Sequence, residues 1–243
     1  MISMLRSALF VLLLALAAPA HAAADPAADV ILNQYVDAIG GKARLSQIKT
    51  RTSKMKISAG WLSVKGESRQ QWPDKAQDDI SGLGMKMSGG YDGKTAWVKE
   101  PAKDPRALQG REAQQFIVGH RLDRMANLPS VYPDRRVLAD DMVEGRKVHR
   151  VGLTAPGCNE EIWSFDAETH LLVMVEGQKE DFKDGGKLSP IKTTLEDYRD
   201  VDGIKLPFRM RGDDGKSKSS IEFESVVHNQ PVAISLPDAL AGK

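Results

Sequence analysis

From Thr50 onward, apolar and polar residues alternate along much of the chain with a period of two. In IKLPFRM, residues 204–210, every second side chain is apolar, and the residues between them are Lys, Pro and Arg. The segments TSKMKIS at 52–58, EEIWSFD at 160–166 and SSIEFES at 219–225 largely keep this alternation. A period of two predicts β-strands with one buried face, which is typical of antiparallel sheets.

Short acidic turn segments separate the alternating runs. They are Asp92–Gly93, Glu144–Gly145, Asp202–Gly203, Asp214–Gly215 and the longer turn DAETH at 166–170. An acid followed by glycine between two alternating runs is a signal for a β-hairpin. Counting the runs predicts about ten strands, most of them joined to the next by a tight turn, and a sheet of that size tends to curl.

Two segments break the period of two and read as helices. In the first, Asp25 can cap the helix, Pro26 fits its first turn, and Gly40–Gly41 ends it. Apolar residues recur there at three- and four-residue steps, namely Val30, Ile31, Tyr35, Val36 and Ile39. A second helix is predicted from Arg111 to about Met125, before the prolines at 129 and 133.

These elements predict a mainly β (α+β) fold in which a strongly curved antiparallel sheet buries its concave face against α-helices. The amphipathic N-terminal helix is the natural filler of the concave side, because a curled sheet must cover its apolar face. The chain contains no internal linker or low-complexity segment, so we expect a single domain over residues 23–243.

The first 22 residues predict an export signal. Arg6 supplies a positive charge, the apolar run ALFVLLLALAA follows from Ala8, and Ala20-His21-Ala22 fits the small-x-small cleavage pattern. We expect cleavage after Ala22 and a soluble periplasmic chain that is not lipidated, since no cysteine follows the run. A retained N-terminal anchor is the alternative, although the apolar run is short for a membrane span.

Charge and cysteine content narrow the function classes. The chain has 34 Lys+Arg and 33 Asp+Glu, and losing Arg6 leaves 33 of each sign and a net charge of zero. Bulk electrostatics therefore favours neither nucleic acid nor an anionic membrane surface as a partner. Cys158 is the single cysteine, so it forms no internal disulfide, and we interpret it as an incidental turn residue rather than a catalytic thiol.

Catalytic and metal motifs are missing from the sequence. The mature histidines His120, His149, His170 and His228 are not at metal-ligand spacing. There is no G-x-S-x-G elbow, P-loop or dinucleotide fingerprint. Acid pairs such as Asp140–Asp141 would point to opposite faces of a strand, so we expect no catalytic residue, no metal and no cofactor.

Large apolar side chains on the predicted strands are candidates to line an internal cavity. Each of them can also be ordinary core, but in a cavity such side chains accommodate flexible acyl chains. The ligand-binding candidates are Trp61, Trp72, Met85, Met87, Trp97, Trp163, Phe165, Phe208 and Phe223. The second helix supplies three candidates for a lid over the cavity, Phe116, Ile117 and Leu122.

Five segments in one order resemble the outer-membrane lipoprotein-sorting proteins, which are similar to the LolA and LolB lipoprotein carriers. The segments are YVDAIGGKARLSQIKTRTSKMKI, GGYDGKTAWVKEP, FDAETHLLVMVEG, LEDYRDVDGIKLPFRMR and IEFESVVHNQPVAISLP. The resemblance implies an incomplete antiparallel half-barrel whose opening is covered by helices that enclose an apolar cavity. The lipid-attachment cysteine of the LolB type is absent, which favours a soluble, LolA-type carrier.

The resemblance also implies a function without catalysis. It implies a carrier or chaperone for lipoprotein acyl chains or a free lipid, moving toward the outer membrane. An inner-membrane exporter and an outer-membrane acceptor are the implied partner candidates, and nucleic acid is not one. The alternatives are a lipid-responsive extracytoplasmic sensor or regulatory module on the same fold, and an uncharacterised hydrolase.

Overall fold

The computed structural model describes residues 24–181 and 187–241, and the predicted signal peptide lies outside these ranges. The described strands are β1 Thr50–Ala59, β2 Leu62–Gln71, β3 Lys75–Gly82, β4 Met85–Tyr91, β5 Ala96–Lys99, β6 Arg106–Ala107, β7 Asp134–Val143, β8 Arg146–Thr154, β9 Glu161–Asp166, β10 Leu172–Asp181, β11 Lys187–Val201, β12 Ile204–Asp213 and β13 Lys218–His228. The helices are α1 Pro26–Ala38, α2 Lys42–Leu45, α3 Gly110–His120 and α4 Leu128–Val131, with 3₁₀ turns at Met125–Asn127 and Asp238–Leu240.

Thirteen strands form one antiparallel sheet in the order β6-β5-β4-β3-β2-β1-β13-β12-β11-β10-β9-β8-β7. The predicted mainly β, antiparallel and curved architecture is confirmed, with three more strands than the predicted ten. The extra strands include the two-residue β6, which is too short to show alternation. The edge strands β6 and β7 are not paired with each other, so the sheet is curved but not closed.

Acid-glycine turns form hairpins as the sequence predicts. Asp202 and Gly203 both have positive φ, at 55° and 76°, and so do Glu144 and Gly145, at 49° and 80°. Two central residues with positive φ make the turn whose twist matches that of paired strands. Leu83 and Gly84 form a similar turn without an acid, which explains why the hairpin between β3 and β4 has no sequence signal.

The first predicted helix is confirmed, with a different buried face. The Asp25 carboxylate accepts a hydrogen bond from the Ala27 N–H and caps α1, with Pro26 in the first turn. Ala28 and Leu32 are buried together with Tyr35, Val36 and Ile39 of the predicted stripe. Val30 is instead 57% exposed, because it lies on the side of the helix that faces away from the sheet.

The second predicted helix is shorter than expected. It ends at His120, where the backbone of Arg121 becomes extended (φ −57°, ψ 123°). Arg121 pairs with Asp123 at 2.7 Å, and the Asp123 N–H donates to the Pro73 carbonyl in the turn between β2 and β3. This long-range docking of the chain on the sheet ends the helix, and a local pattern cannot predict it.

Helices and sheet share one main core. In that core, the Tyr35 ring of α1 lies 5.2 Å from Phe165 and 6.3 Å from Trp163, centroid to centroid. Tyr132, after α4, packs 5.7 Å from Trp163 on the same side. These contacts place α1 and the segment after α3 against the inner face of the sheet, and they leave space farther along that face.

Candidate functional site

A cavity of about 570 Å³ lies between the inner face of the sheet and the helices. Its wall comes from β1, β2 and β3 on one side and from β9 to β13 on the other. Tyr35 and Ile39 of α1, Leu45 of α2, and residues 119–125, here named the cover segment, close it above the sheet. The volume is within the range of about 300–1,000 Å³ that is typical of small-molecule sites.

The cavity wall changes from polar to apolar along β1. Arg51, Ser53, Met55 and Ile57 all line the cavity, because alternate residues of a strand face the same side. Six residue steps separate Arg51 from Ile57, which corresponds to roughly 20 Å of strand at about 3.4 Å per step. The cavity therefore has a polar end at Arg51 and an apolar end at Ile57.

The neighbouring strands show the same change from polar to apolar residues, in register with β1. Beside Arg51 lie Gln70 and His228, beside Ser53 lie Ser68 and Val226, beside Met55 lie Gly66 and Phe223, and beside Ile57 lies Ile221. On β3, Ile80 faces Gly66 across the strands and also lines the apolar end. Gly66 matters here because a Cβ would come within 3.0 Å of the Met55 Cγ and 3.2 Å of the Ile57 Cδ1.

Arg51 lies at the polar end, and a chain of hydrogen bonds links it to a residue outside the cavity. Its Nε donates to the His228 Nε2 at 3.2 Å, and the His228 Nδ1 lies 3.1 Å from the Asp202 carboxylate. Burial lowers the pKa of His228, and the Arg51 charge lowers it further. Burial also lowers the pKa of Arg51 to about 10, so the guanidinium remains charged at neutral pH.

A second arginine at the cavity, Arg124, is neutralised by the protein itself. Its Nη2 lies 2.7 Å from the Glu161 carboxylate and also bonds the Tyr132 hydroxyl. The guanidinium stacks over the Trp163 ring at 5.0 Å, and the Trp163 Nε1 donates to Glu161 at 2.8 Å. This group joins the cover segment to β9 on one side of the cavity.

On the other side, His120 joins the cover segment to β2 and β3. The His120 Nε2 lies 2.7 Å from the Asp78 carboxylate, and the His120 carbonyl accepts a 2.7 Å hydrogen bond from Gln70. Burial alone would lower the pKa of His120, but the hydrogen bond and charge of Asp78 raise it above its usual value. Burial opposes ionisation of Asp78, yet its bonds to His120 and Ser68 lower its pKa.

The structure brings only some of the sequence-based candidates to this cavity. Trp163, Phe223 and the lid candidate Leu122 line it. Trp97 and Phe165 are buried elsewhere in the core, and Trp72 lies in the turn after β2, where Lys49 stacks on its ring. The remaining candidates do not line the cavity. Phe208 packs on Phe223 and Arg199, and Phe116 stacks on His120. Ile117 lines a separate surface pocket, and Met85, Met87 and Trp61 are exposed.

Trp61 and Trp72 do not lie on strands as predicted. Trp61 occupies the turn between β1 and β2 and is 88% exposed, and Trp72 lies in the turn after β2. Arg51, Met55 and Ile57 also line the cavity, although none of them is among the candidates predicted from the sequence. The alternation at 52–58 carries the signal. Counting back from Met55 two residues at a time reaches Ser53 and then Arg51, so Arg51 lies on the same face as Met55 and Ile57.

No metal centre or membrane-spanning helix is found in the part of the chain that the structure describes. Within residues 24–181 and 187–241, no three His, Cys, Asp or Glu side chains come close enough together to hold a metal ion. The helices of these ranges are all too short or too polar to cross a bilayer.

Comparison with known proteins gives fold neighbours only. No protein family model matches the chain, and no curated protein sequence matches it significantly. A LolA superfamily protein from Nitrosomonas europaea has a similar structure at 16% identity and a TM-score of 0.57, over 89% of this chain and 97% of that one. A DUF1329 family protein from Desulfovibrio piger also aligns at 16% identity and a TM-score of 0.57, over 86% of this chain and 96% of that one.

A third structure has the name that the sequence resemblance suggests. It is a domain from Vibrio parahaemolyticus named for outer membrane lipoprotein sorting, similar at 13% identity and a TM-score of 0.57, over 85% of this chain and 95% of that one. At identities this low, structural similarity establishes the fold alone. The predicted LolA-like fold is confirmed.

Proposed function

We propose that this chain is a periplasmic carrier or chaperone that binds the acyl chain of a lipoprotein or of a free lipid in its cavity, without catalysis. The observation that carries the proposal is the apolar half of the cavity, formed by Met55, Ile57, Ile80, Ile221 and Phe223 beneath a helical cover. Burying one methylene contributes about 0.8 kcal/mol, so ten methylenes supply roughly 8 kcal/mol before the costs of binding.

Loading requires the cover segment to move, because it closes the cavity above the sheet. It is attached by the His120–Asp78 pair, the Gln70 hydrogen bond, the Arg124–Glu161 pair and the Asp123–Pro73 hydrogen bond. Its Leu122 side chain also packs in the main core, so opening must exchange this apolar contact as well as the polar ones. An entering chain then replaces contacts of the cover with contacts of its own, and loading stays reversible without a nucleotide.

The delivery route rests on the sequence. The predicted signal peptide at residues 1–22 would export the chain, and the fold neighbours include a domain named for outer membrane lipoprotein sorting. We propose that an inner-membrane exporter loads the carrier and an outer-membrane acceptor unloads it.

Lipid mass spectrometry of the purified mature protein, together with binding of the neutral dye N-phenyl-1-naphthylamine, tests this proposal. We expect copurified acyl lipid and saturable dye binding. Ser53→Phe should weaken dye binding at least fivefold, because Ser53 lines the cavity. Thr52→Phe is the matched control, since Thr52 is the next residue of β1 and points to the other face of the sheet. A lipid-free protein that ignores the dye would refute carriage.

A further inference from the structure

Arg51 is a partly buried cation without a carboxylate partner among the described residues. Its Nε is held by His228, whereas no ion pair or hydrogen bond to a protein acceptor engages its two terminal nitrogens. A guanidinium that is partly withdrawn from bulk water gains from pairing with an anion, because its charge is incompletely solvated there. Arg51 lines the cavity, so these free donors face the space that the proposed ligand would fill.

The other charged groups along the cavity wall compensate one another. Arg124 pairs with Glu161, His120 with Asp78 and Arg121 with Asp123, and Glu67 shares Arg69 with Asp79. Among the described lining residues, the charges without an ion pair are Arg51 and the exposed Lys205, and both are positive. The polar end of the cavity therefore holds a positive charge without an anionic partner.

His228 holds the guanidinium in a fixed orientation without neutralising it. The His228 Nδ1–H donates to Asp202, and its Nε2 accepts from the Arg51 Nε. This arrangement requires the neutral imidazole, and the lowered pKa of His228 agrees with it. The Asp202 side chain is 66% exposed and is separated from Arg51 by the ring, so it compensates the charge weakly.

The change of polarity along the cavity indicates which chemical groups a matching ligand carries at each end. The oriented guanidinium lies at one end, and roughly 20 Å of increasingly apolar wall leads away from it along β1. A guanidinium binds carboxylate and phosphate through two parallel hydrogen bonds. An amphiphile with an anionic headgroup and a long apolar chain matches both halves of this site.

We propose that Arg51 is the headgroup site for an anionic amphiphile whose carboxylate or phosphate binds the guanidinium and whose acyl chain extends past Met55 toward Ile57. This inference rests on the proposed function and makes it more specific. Ester- and amide-linked chains of a lipoprotein carry no anionic group at this position. The site therefore favours a fatty acid or an acidic lipid as cargo.

Displacement of N-phenyl-1-naphthylamine at pH 7 tests the proposal with 16-carbon ligands below their micelle concentrations. Hexadecanoate and hexadecyl phosphate represent the two anionic sources, and methyl hexadecanoate and hexadecanol are neutral controls. We expect the better anion to displace the dye at a concentration at least tenfold lower than either neutral ligand, as a charge-assisted hydrogen-bond pair would give. Equal displacement by all four ligands would overturn the headgroup site and leave the acyl-chain proposal intact.

Variants of Arg51 identify the responsible cation. Arg51→Met should reduce the preference for anions to within about twofold while the dye still binds, and Arg51→Lys should keep part of it. Arg211→Met removes an arginine that is 55% exposed and paired with Glu196 on the surface, and it should keep the full preference. A full preference in Arg51→Met would overturn the assignment. If neither dye nor any ligand binds the wild-type protein, the carrier function itself fails.

Discussion

Trp163 belongs both to the packed core and to the cavity wall. It is 1% exposed, and its ring contacts Tyr35, Tyr132 and Phe165. We expect Trp163→Ala to lower the free energy of unfolding by about 3–5 kcal/mol, because it removes a large buried ring. Urea unfolding measures this loss. Trp61→Ala is the control, and it should change the free energy by less than about 0.5 kcal/mol because Trp61 is 88% exposed.

Arg135 anchors the start of α1 to the segment before β7. Its Nε lies 2.6 Å from the Asp29 carboxylate, and its Nη1 donates to the carbonyls of Tyr132 and Pro133. Arg135→Leu leaves these acceptors without a donor, so we expect a loss of about 3 kcal/mol in the free energy of unfolding. Arg136→Leu, on the neighbouring half-exposed side chain, should cost less than about 1 kcal/mol. Equal losses in the two variants would contradict the anchoring role.

At the scale of elements, the link between the cover segment and the sheet should respond to pH. The folded pKa of His120 is raised above 6.5, so its stabilisation is complete below that value and is lost as pH rises through the folded pKa. The folded pKa of Asp78 is lowered below 3.8, so its stabilisation is present above that value and is lost as pH falls through the folded pKa. The stabilisation from the His120–Asp78 pair should therefore be greatest between about pH 4 and 6.5.

Hydrogen exchange of the cover segment, residues 119–125, checks this dependence. In the wild type, exchange there should accelerate as pH rises from 6 to 8, after correction for intrinsic rates. His120→Gln and Asp78→Asn should remove the acceleration and lower the thermal midpoint at pH 6 by roughly 2–4 °C, the shift expected for about 1 kcal/mol in a domain this size. Arg124, Arg69 and Ser68 also act on this pair and stay intact in both variants. An unchanged pH profile in His120→Gln would exclude the link.

Elements differ in how well the sequence predicts them. The capped α1 and the Asp202–Gly203 hairpin depend on a few adjacent residues, and both were predicted correctly. The end of α3 depends on Asp123 meeting Pro73, and its position was wrong because that contact spans fifty residues of sequence. Bulges such as the register shift at Lys54/Met55 likewise bend the sheet without a local signature.

The site forms only in the assembled sheet, so the type of a single residue does not reveal whether it lines the cavity. Alternation predicts which residues share a face, but it does not predict which strands lie side by side. The polar row of Arg51, Gln70 and His228 exists only because β1 pairs with both β2 and β13. Side-chain size favours large aromatic residues as candidates, whereas most of the apolar wall is formed by medium-sized residues such as Met55 and Ile57.

Ligand binding to this cavity should stabilise the entire domain, because the cavity exists only when both sides of the sheet and the helices are assembled. At a hexadecanoate concentration of 100 times Kd, linkage adds about 2.7 kcal/mol to the free energy of unfolding. For a domain of this size, that gain corresponds to a rise of roughly 5–10 °C in the thermal midpoint. Ser53→Phe should lose most of the rise, since the ring occupies the cavity beside the apolar end. Thr52→Phe, on the other face of β1, should keep it. Differential scanning fluorimetry with and without ligand measures both shifts, and equal shifts in the two variants would place the ligand outside this cavity.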